Sequence, residues 1–302
     1  MAHAEVKAKG ITWYHFPELE EEDFLFLEKE FKFHPLDFDD LRDSQQLPKL
    51  DTYKYYLFCI FAIPKFDRKQ MRMLKTNLSI FIGKDYIVTA AQTPIDSVNR
   101  FFIRASRSSG LKRDLFSKST GYVLYKLLDY AFRDTKVILK ELVREANEVE
   151  EAVYDDHTKV TTKRLGIVRR NVLYMRHVID PQRILLGQII HAKKSFVPKT
   201  LEDYFDDVKD TLDGMWVVTE NLKNIVDGLF DVNEAFLSHK MNDIIRILTI
   251  ISVILMPATL LTGYFGMNIE GLPLTESPIA VTVTIITSIL LLLLVIMRID
   301  RE

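Results

Sequence analysis

The side chains best suited to contact an ion lie in a long apolar stretch near the carboxyl end of the chain. Polar, small and apolar residues recur there every three or four positions, which places them on one face of a helix. This face consists of Asn242, Ile245, Leu248 or Thr249, Ser252, Met256, Thr259 and Gly263. It contains no carboxylate, so its oxygens are neutral acceptors, which suit a hydrated cation that is held only weakly. The competing interpretation is helix packing through small residues.

A second group of residues follows directly where the apolar stretch ends, in Gly266-Met267-Asn268. A strongly hydrated divalent cation can be recognised through its waters by neutral oxygens, without being stripped in a protein cage. Asn268 supplies one such side-chain oxygen, and a symmetric ring of subunits would supply several. Gly266 permits the backbone turn that ends the helix.

Other kinds of site find little support in the sequence. The seven histidines include no pair at zinc-ligand spacing, and Cys59 is the only cysteine, so we expect neither a structural metal site nor an intramolecular disulfide. Cys59 is expected to be a small buried hydrophobic residue. The chain has no glycine-rich phosphate loop and a formal net charge of -2, which argue against nucleotide and nucleic-acid binding. We expect no enzyme activity.

Two apolar runs are long enough to hold the polar face inside a membrane. Ile247 to Phe265 has 19 residues without a charge and Pro278 to Met297 has 20, and about 20 residues cross a bilayer as a helix. Only residues 266–277 connect them, so the two spans should form an antiparallel pair. The alternative is a pair of buried core helices in a soluble protein, but such helices rarely stay free of charge over this length.

The charges beside the two spans predict their orientation. Bases flank the spans on the side of the large amino-terminal part: Lys240, Arg246, Arg298 and Arg301. The connector carries two acids and no base. By the positive-inside rule, both termini face the cytoplasm and the connector faces outward. The amino terminus has no apolar segment typical of a signal peptide. We therefore predict a multi-pass protein of the cytoplasmic membrane.

The rest of the chain indicates a cytosolic domain joined to the membrane by a long helix. Short β-like runs dominate residues 1–115, with a hairpin signal at Gly83-Lys84-Asp85. From Thr120 onward, apolar residues three and four apart predict long amphipathic helices. An acidic block at 145–156 and a basic block at 158–176 should lie side by side in a helical hairpin. The predicted segments are 1–115 (α/β), 116–199 (amphipathic helices), 200–246 (stalk helix), 247–265 (first span), 266–277 (outer loop), 278–297 (second span) and 298–302 (cytoplasmic tail).

These features resemble the CorA-type magnesium transporters. The family's hallmark is Gly-Met-Asn at the outer end of the penultimate span, and here it is Gly266-Met267-Asn268. The segment from Asn242 to Asn268 is similar to the family's pore helix nearly throughout. Gly228-Leu229-Phe230-Asp231-Val232 resembles the stalk just below the membrane. The sequence departs from the family pattern at Phe265, where a tyrosine is usual, and in having few bases at its carboxyl end.

The resemblance implies a specific architecture and set of roles. The fold is an α+β cytosolic domain with a mixed sheet, followed by a long helical stalk and two carboxyl-terminal transmembrane helices, in a funnel-shaped homopentamer. Gly266, Met267 and Asn268 would form the selectivity filter, and Asn242, Leu248 and Met256 the narrow part of the gate. Asp231 would share an inhibitory Mg²⁺ with a neighbouring subunit, with Asp67 as the opposing acid. Asp207 falls where the family has a second such acid, and its alternative role is that of a solvated acid on an acidic helix face. Mg²⁺ is then both the transported ion and a regulatory ligand.

Two other functions remain open. Neutral oxygens discriminate poorly among divalent metals, so the same fold could transport Co²⁺, Ni²⁺ or Zn²⁺. The unaltered tripeptide favours magnesium, because zinc-selective relatives usually change its middle residue. The second alternative is a membrane-anchored signalling or scaffold protein. Such a tether would need no polar face in its first span and would support no ion flux.

Overall fold

The computed structural model describes residues 3–155, 159–267 and 277–299. The chain divides into two compact units, Met1–Phe230 and Asp231–Glu302. Among the described residues, the first unit contains the six strands and most of the helices. The second contains the carboxyl-terminal part of one long helix and a further apolar helix.

The strands form one mixed sheet in the order β1-β2-β6-β5-β4-β3. They are β1 (Ala4–Ala8), β2 (Ile11–Phe16), β3 (Lys49–Thr52), β4 (Leu57–Asp67), β5 (Arg72–Ile82) and β6 (Tyr86–Ala90). β2 and β6 are parallel, and the other neighbours are antiparallel. The predicted hairpin at residues 83–85 is confirmed as the turn between β5 and β6.

The helices follow and interrupt the strands along the chain. They are α1 (Glu21–Glu30), α2 (Pro35–Arg42), α3 (Asp96–Arg107), α4 (Ser109–Leu115), α5 (Thr120–Asp155), α6 (Lys159–His191), α7 (Glu202–Phe265) and α8 (Pro278–Ile299). A single 3₁₀ turn at Lys199–Leu201 precedes α7.

The sheet carries helices on both faces, because β4 is apolar on both. Phe58 and Ile60 join a core that includes residues of α1 and α2. On the other face Phe61 meets Phe132 of α5 at 6.0 Å between ring centres. Burying each such aromatic ring contributes about 1.5–3 kcal/mol to folding. Cys59 lies buried in the same strand as a free thiol, as predicted.

The three long helices α5, α6 and α7 bury residues at alternating spacings of three and four. In α6 the buried positions include Leu165, Val168, Val172, Met175, Ile179, Gln182, Leu186 and Ile189. In the first unit, α7 buries Phe205, Val208, Leu212, Met215, Thr219, Leu222, Val226 and Leu229. Side chains at this spacing lie along one side of each helix, and long helices pack against one another through such rows.

The side-by-side arrangement of opposite charges on α5 and α6 is also found. Arg164 of α6 lies 3.5 Å from Glu148 of α5. Arg144 of α5 pairs within its own helix, with Glu141 and with Glu148. Residues 156–158, where the acidic block ends, lie outside the described residues.

α7 begins at Glu202 and has 64 residues, which gives it a length of about 96 Å at 1.5 Å per residue. The predicted continuation of the stalk helix into the first apolar run is therefore confirmed. Pro257 lies inside the helix without ending it. The helix contains an 18-residue window apolar enough to cross a membrane, and none of that window is buried within the chain.

α8 starts with a residue pair that is typical of helix beginnings. Pro278 occupies the first turn, where its missing N–H costs nothing, and the Ser277 hydroxyl accepts a hydrogen bond from the backbone N–H of Ala280 at 3.4 Å. A shorter apolar segment, Ile279–Leu291, follows within this helix.

Candidate functional site

The predicted polar face lies on α7 and is exposed in the single chain. All six residues predicted to line the pore are exposed there: Asn242, Leu248, Ser252, Met256, Thr259 and Gly263. Four of them, from Ser252 to Gly263, line one open groove together with Met267. Most residues that line this groove are apolar. An exposed apolar surface needs to be covered by lipid or by other protein.

The hydroxyl groups on this helix are oriented by bonds to their own backbone. Ser252 donates to the carbonyl of Leu248 at 2.8 Å, and Thr259 donates to the carbonyl of Leu255 at 2.9 Å. Each hydroxyl thereby uses its only proton inside the helix and retains lone pairs as an acceptor. The water molecules around a cation present their hydrogens outward. Oxygens that can only accept are therefore suited to contact a hydrated cation.

Pro257 adds a further acceptor in the same region. A proline inside a helix has no N–H for the carbonyl four residues earlier, which here belongs to Val253. The helix continues on both sides of this position. The backbone oxygen of Val253 is thus without its helical donor, one residue after Ser252.

The end of α7 turns tightly at Gly266. Its N–H donates to the carbonyl of Thr262 at 2.9 Å. A Cβ atom at this position would lie 2.9 Å from the same carbonyl oxygen, so any side chain would disturb the turn. Met267 is exposed. Asn268, the third member of the predicted filter, and the acids of the outer loop lie outside the described residues.

Five residues that line the groove were not among the predicted site residues: Ile251, Leu255, Pro257, Leu260 and Tyr264. Leu260 and Tyr264 line it beside Met256 and Gly263. Both continue the spacing of four residues from Met256, so the periodicity that indicated the other positions could have indicated these as well.

The three predicted regulatory acids lie on two elements, with Asp67 on β4 and with Asp207 and Asp231 on α7. Asp67 ends β4, and its Oδ1 accepts hydrogen bonds from the backbone N–H groups of Lys69 at 2.9 Å and Gln70 at 3.3 Å. It therefore already stabilises the turn into β5. Asp231 is exposed on α7. Among the described residues, Asp67, Asp207 and Asp231 do not form one cluster of possible metal ligands.

Asp207 lines a groove between α5 and α7. Asp210 stands beside it, and Lys136 and Lys140 of α5 line the same groove. The floor is apolar, with Leu139 and Met215 among its residues. Two acids here share a groove with two bases, so the local charge is balanced within the chain.

Among the described residues, three other acids approach one another closely enough to hold a metal ion: Asp37, Asp40 and Asp51. Lys49 already pairs with both Asp40 and Asp51. Asp37 is fully buried and accepts hydrogen bonds from the hydroxyls of Tyr53 at 2.7 Å and Tyr56 at 2.6 Å. Burial raises the pKa of the Asp37 carboxyl, although both hydrogen bonds oppose the shift. This cluster is satisfied by its own side chains, and we assign it no metal.

Comparisons with known proteins agree on one family. Residues 8–301 match the family model described as CorA-like Mg2+ transporter protein. The chain is 29% identical over 243 residues to the cobalt/magnesium transport protein CorA of Thermotoga maritima, covering 80% of this chain and 68% of that protein. It is 27% identical over 272 residues to the putative metal ion transporter YfjQ of Bacillus subtilis, covering 89% of this chain and 82% of that protein.

The fold is also similar to a solved structure. The complete structure of the CorA magnesium transporter from Methanocaldococcus jannaschii aligns with a TM-score of 0.79 at 19% identity. The alignment covers 99% of this chain and 93% of that chain. At this identity the likeness concerns the fold.

Proposed function

Because this chain belongs to the family of CorA-like Mg²⁺ transporter proteins, we propose that it conducts Mg²⁺ along a pore lined by α7. Members of this family are membrane transporters of divalent cations and are not enzymes. The proposal therefore concerns which ion this chain carries, by which residues, and how flux is controlled.

The observation that carries the proposal is the chemistry of the exposed face of α7. Its hydroxyls at Ser252 and Thr259 donate to their own helix and keep acceptor lone pairs. The face has no carboxylate that would bind an ion tightly. A path of this kind favours a cation that keeps its waters, as Mg²⁺ does. Gly266, Met267 and Asn268 then form the filter, Asn242, Leu248 and Met256 form the gate, and Ser252, Thr259 and Gly263 line the pore.

The pore requires several copies of the chain. One helix exposes its polar face and encloses nothing, whereas a closed ring of α7 helices would surround a path and cover the face. We propose a homopentamer in the cytoplasmic membrane. Each subunit would cross the membrane twice, through the carboxyl-terminal part of α7 and through α8, with both termini in the cytoplasm.

The proposed regulation by Mg²⁺ uses acids of the cytosolic domain and the stalk. Asp231, Asp207 and Asp67 would contribute to sites between cytosolic domains, where a divalent ion bridges neighbouring subunits. Such an ion binds the closed arrangement better than the open one, so its loss favours opening. Internal Mg²⁺ would thereby limit its own uptake.

Asn268 provides the test of the filter. Asn268→Ala should abolish or severely reduce Mg²⁺ uptake into liposomes, because it removes one oxygen per subunit from the ring that faces the hydrated ion. Assembly, measured as mass in mild detergent, should be unchanged, because the proposed role of the amide is to contact the ion and not to support the fold. A mass corresponding only to monomers in the parent protein would contradict the ring itself.

A second substitution separates ion recognition from a structural role. If Asn268 only ends the helix in the left-handed conformation, Asn268→Gly should serve almost equally well. We expect Asn268→Gly to be as defective as Asn268→Ala. Uptake at the parental rate, with normal membrane insertion, would exclude the filter role of the amide.

The same liposomes distinguish the alternative functions. Uptake is measured against a panel of Mg²⁺, Co²⁺, Ni²⁺ and Zn²⁺. Mg²⁺ should support the highest flux, whereas preference for another ion would assign the chain to that metal within the same fold. A membrane-anchored scaffold would transport none of them.

A further inference from the structure

Three arginines of α6 pair with three acids of α7 at a regular interval. Arg169 Nε lies 3.0 Å from Asp227 Oδ1. Arg176 pairs with Glu220, and Arg183 pairs with Asp213. Successive arginines are seven residues apart along α6, and successive acids are seven residues apart along α7. The two helices run antiparallel, so the three pairs form rungs of one ladder.

Aromatic rings of α7 support the rungs. The guanidinium groups of Arg176 and Arg183 lie 5.3 Å and 5.0 Å from the ring centre of Trp216, and that of Arg169 lies 4.7 Å from Phe230. A guanidinium group over an aromatic face is attracted by the ring and loses freedom of movement. The arginines are thus held by two kinds of contact to the same helix.

The central rung holds its two paired atoms out of contact with water. Nε of Arg176 and Oε1 of Glu220 are both buried atoms, and neither makes a conventional hydrogen bond. Their attraction to each other offsets the loss of water at these two atoms, while the side chains as a whole remain 43% and 30% exposed. Removing one partner leaves the other half-buried charge without its partner on the facing helix.

The heptad interval makes the ladder sensitive to sliding. A shift of α7 by one turn, about 5.4 Å, would bring Trp216 or Val217, or Lys223 or Asn224, opposite Arg176. At the two outer rungs, a one-turn shift in either direction supplies at most one new carboxylate. Such a shift would therefore leave at least two of the three arginines without an acid of α7, although Arg183 keeps its contact to Asp180 of α6 at 3.3 Å, and all three pairs between the helices would break together.

We propose that Arg169, Arg176 and Arg183 are positioning residues that hold the cytosolic part of α7 in one axial register. This inference rests on the proposed function, because α7 is also the helix that carries the ion-facing residues. Ion flux is then coupled to the cytosolic domain through the register of one helix. A ladder with discrete settings converts gradual binding of a regulatory ion into a two-state change.

The test is a charge exchange at the central rung. Arg176→Glu and Glu220→Arg each place like charges opposite one another. Either change should shift the internal Mg²⁺ concentration that halves uptake by about fivefold or more, the size of ordinary coupling between sites. The double variant Arg176→Glu/Glu220→Arg restores the pair in reverse and should return that concentration to within about twofold of the parent value.

A second double variant controls for net charge. Arg176→Glu/Asp213→Arg has the same net charge as the first double variant, but it places the new glutamate opposite Glu220 and the new arginine opposite Arg183. It should remain as defective as the single variants. Arg176→Lys keeps the charge and should retain most of the parental response. If the two double variants show the same Mg²⁺ dependence of uptake, the proposed role of the ladder is wrong.

Two further readouts separate this role from others. A purely structural role would lower the melting temperature and the amount of folded protein, and uptake would fall in proportion with its Mg²⁺ dependence unchanged. That result would overturn the positioning role. Thermal unfolding of all variants in detergent tests the pairing without ion flux, with only the in-register exchange expected to recover the parental melting temperature. A parent that melts normally but transports no cation would refute the proposed function instead.

Discussion

His15 is the buried titratable group with the clearest consequence for stability. It is 5% exposed, and its Nδ1 and Nε2 lie 2.9 Å from Thr89 Oγ1 and 2.8 Å from Asn99 Oδ1. An amide oxygen can only accept, which places the proton on Nε2 and leaves Nδ1 to accept from the Thr89 hydroxyl. Burial lowers the pKa of His15 from 6.5 to about 4, against the opposing hydrogen bonds. The folded protein therefore holds His15 neutral.

The sign of the pH effect follows from this shift. Between about pH 6.5 and pH 4 the unfolded chain takes up a proton that the folded chain does not, so stability falls as pH falls. The loss over the whole window is roughly 3 kcal/mol, since one pKa unit corresponds to about 1.4 kcal/mol. We expect His15→Gln to make the melting temperature of the detergent-solubilised protein less dependent on pH over this window.

The control for this prediction is His177→Gln, which changes an exposed histidine of α6 and should preserve the parental pH dependence. The raised pKa of Asp37 acts in the opposite sense, because protonation of that buried carboxyl favours the folded state. Asp37 is present in every variant, so its effect cancels in the comparison. An unaltered slope in His15→Gln would show that another group causes the acid sensitivity.

The regulatory role of Asp231 is the second prediction at the scale of single residues. Asp231→Asn removes a negative charge where a divalent ion would join two subunits, so the channel should conduct at internal Mg²⁺ levels that close the parent. Glu234→Gln, at an exposed acid in the next turn of α7, is the matched control and should respond as the parent does. Unchanged inhibition, with unchanged Mg²⁺ protection against proteolysis, would remove Asp231 from the sensor.

The chemistry of single residues was more predictable from the sequence than their pairing. The periodicity of α7 was enough to place Ser252, Met256, Thr259 and Gly263 on one groove. By contrast, the hydrogen bonds that Asp67 accepts in its turn depend on the local backbone path, which no spacing reveals. Which acid completes a site with Asp231 depends on contacts between subunits, and one sequence carries no direct signal for these.

At the scale of elements, the start of α5 depends on a close approach to the segment before α7. The N–H of Gly121 donates to the carbonyl of Phe196 at 3.0 Å. A Cβ atom at Gly121 would lie only 2.5 Å from that oxygen and 3.1 Å from the Cα of Val197. Because all of these are backbone atoms, the clash cannot be relieved by rotating a side chain.

We therefore expect Gly121→Ala to lower the free energy of unfolding by about 1–3 kcal/mol, as overpacking commonly does. Gly166→Ala in α6 is the control, because a Cβ there meets nothing within 4 Å. That change should leave stability unchanged or raise it by up to about 1 kcal/mol, through the higher helix propensity of alanine. Chemical unfolding of both variants checks the pair, and equal effects would contradict the close approach.

Local elements were predictable where the signal is local. The hairpin at residues 83–85 and the amphipathic helices after Thr120 follow from turn residues and periodicity. The parallel pairing of β2 with β6 joins strands that are distant in sequence, and so does the contact in which Asn171 Oδ1 accepts from the N–H of Met73. The ladder of α6 and α7 lies between these cases. Its heptad interval is visible in the sequence, but its register appears only in the packed helices.

At the scale of the whole molecule, the proposed mechanism needs no chemical energy source. A membrane potential contributes roughly 2.3 kcal/mol per charge per 100 mV, and hence about 4.6 kcal/mol for a divalent ion. At equilibrium this corresponds to an accumulation of roughly 2,000-fold per 100 mV, since about 1.4 kcal/mol is a factor of ten. A pore that passes hydrated Mg²⁺ should approach this limit without nucleotide, until internal Mg²⁺ closes it.

This argument yields the last prediction, for the parent protein in liposomes with an imposed potassium diffusion potential. An inside-negative potential should drive Mg²⁺ inward against its concentration gradient, and reversing the potential should drive it outward. Asn268→Ala liposomes carry the same protein mass and the same potential, so they control for leakage. Accumulation that ignores the sign of the potential, or that requires ATP, would contradict a passive pore. We expect accumulation to follow the potential in both proteins and to stop at a lower internal Mg²⁺ concentration in the parent than in Asp231→Asn. This result would show that Asp231 limits flux through the same pore.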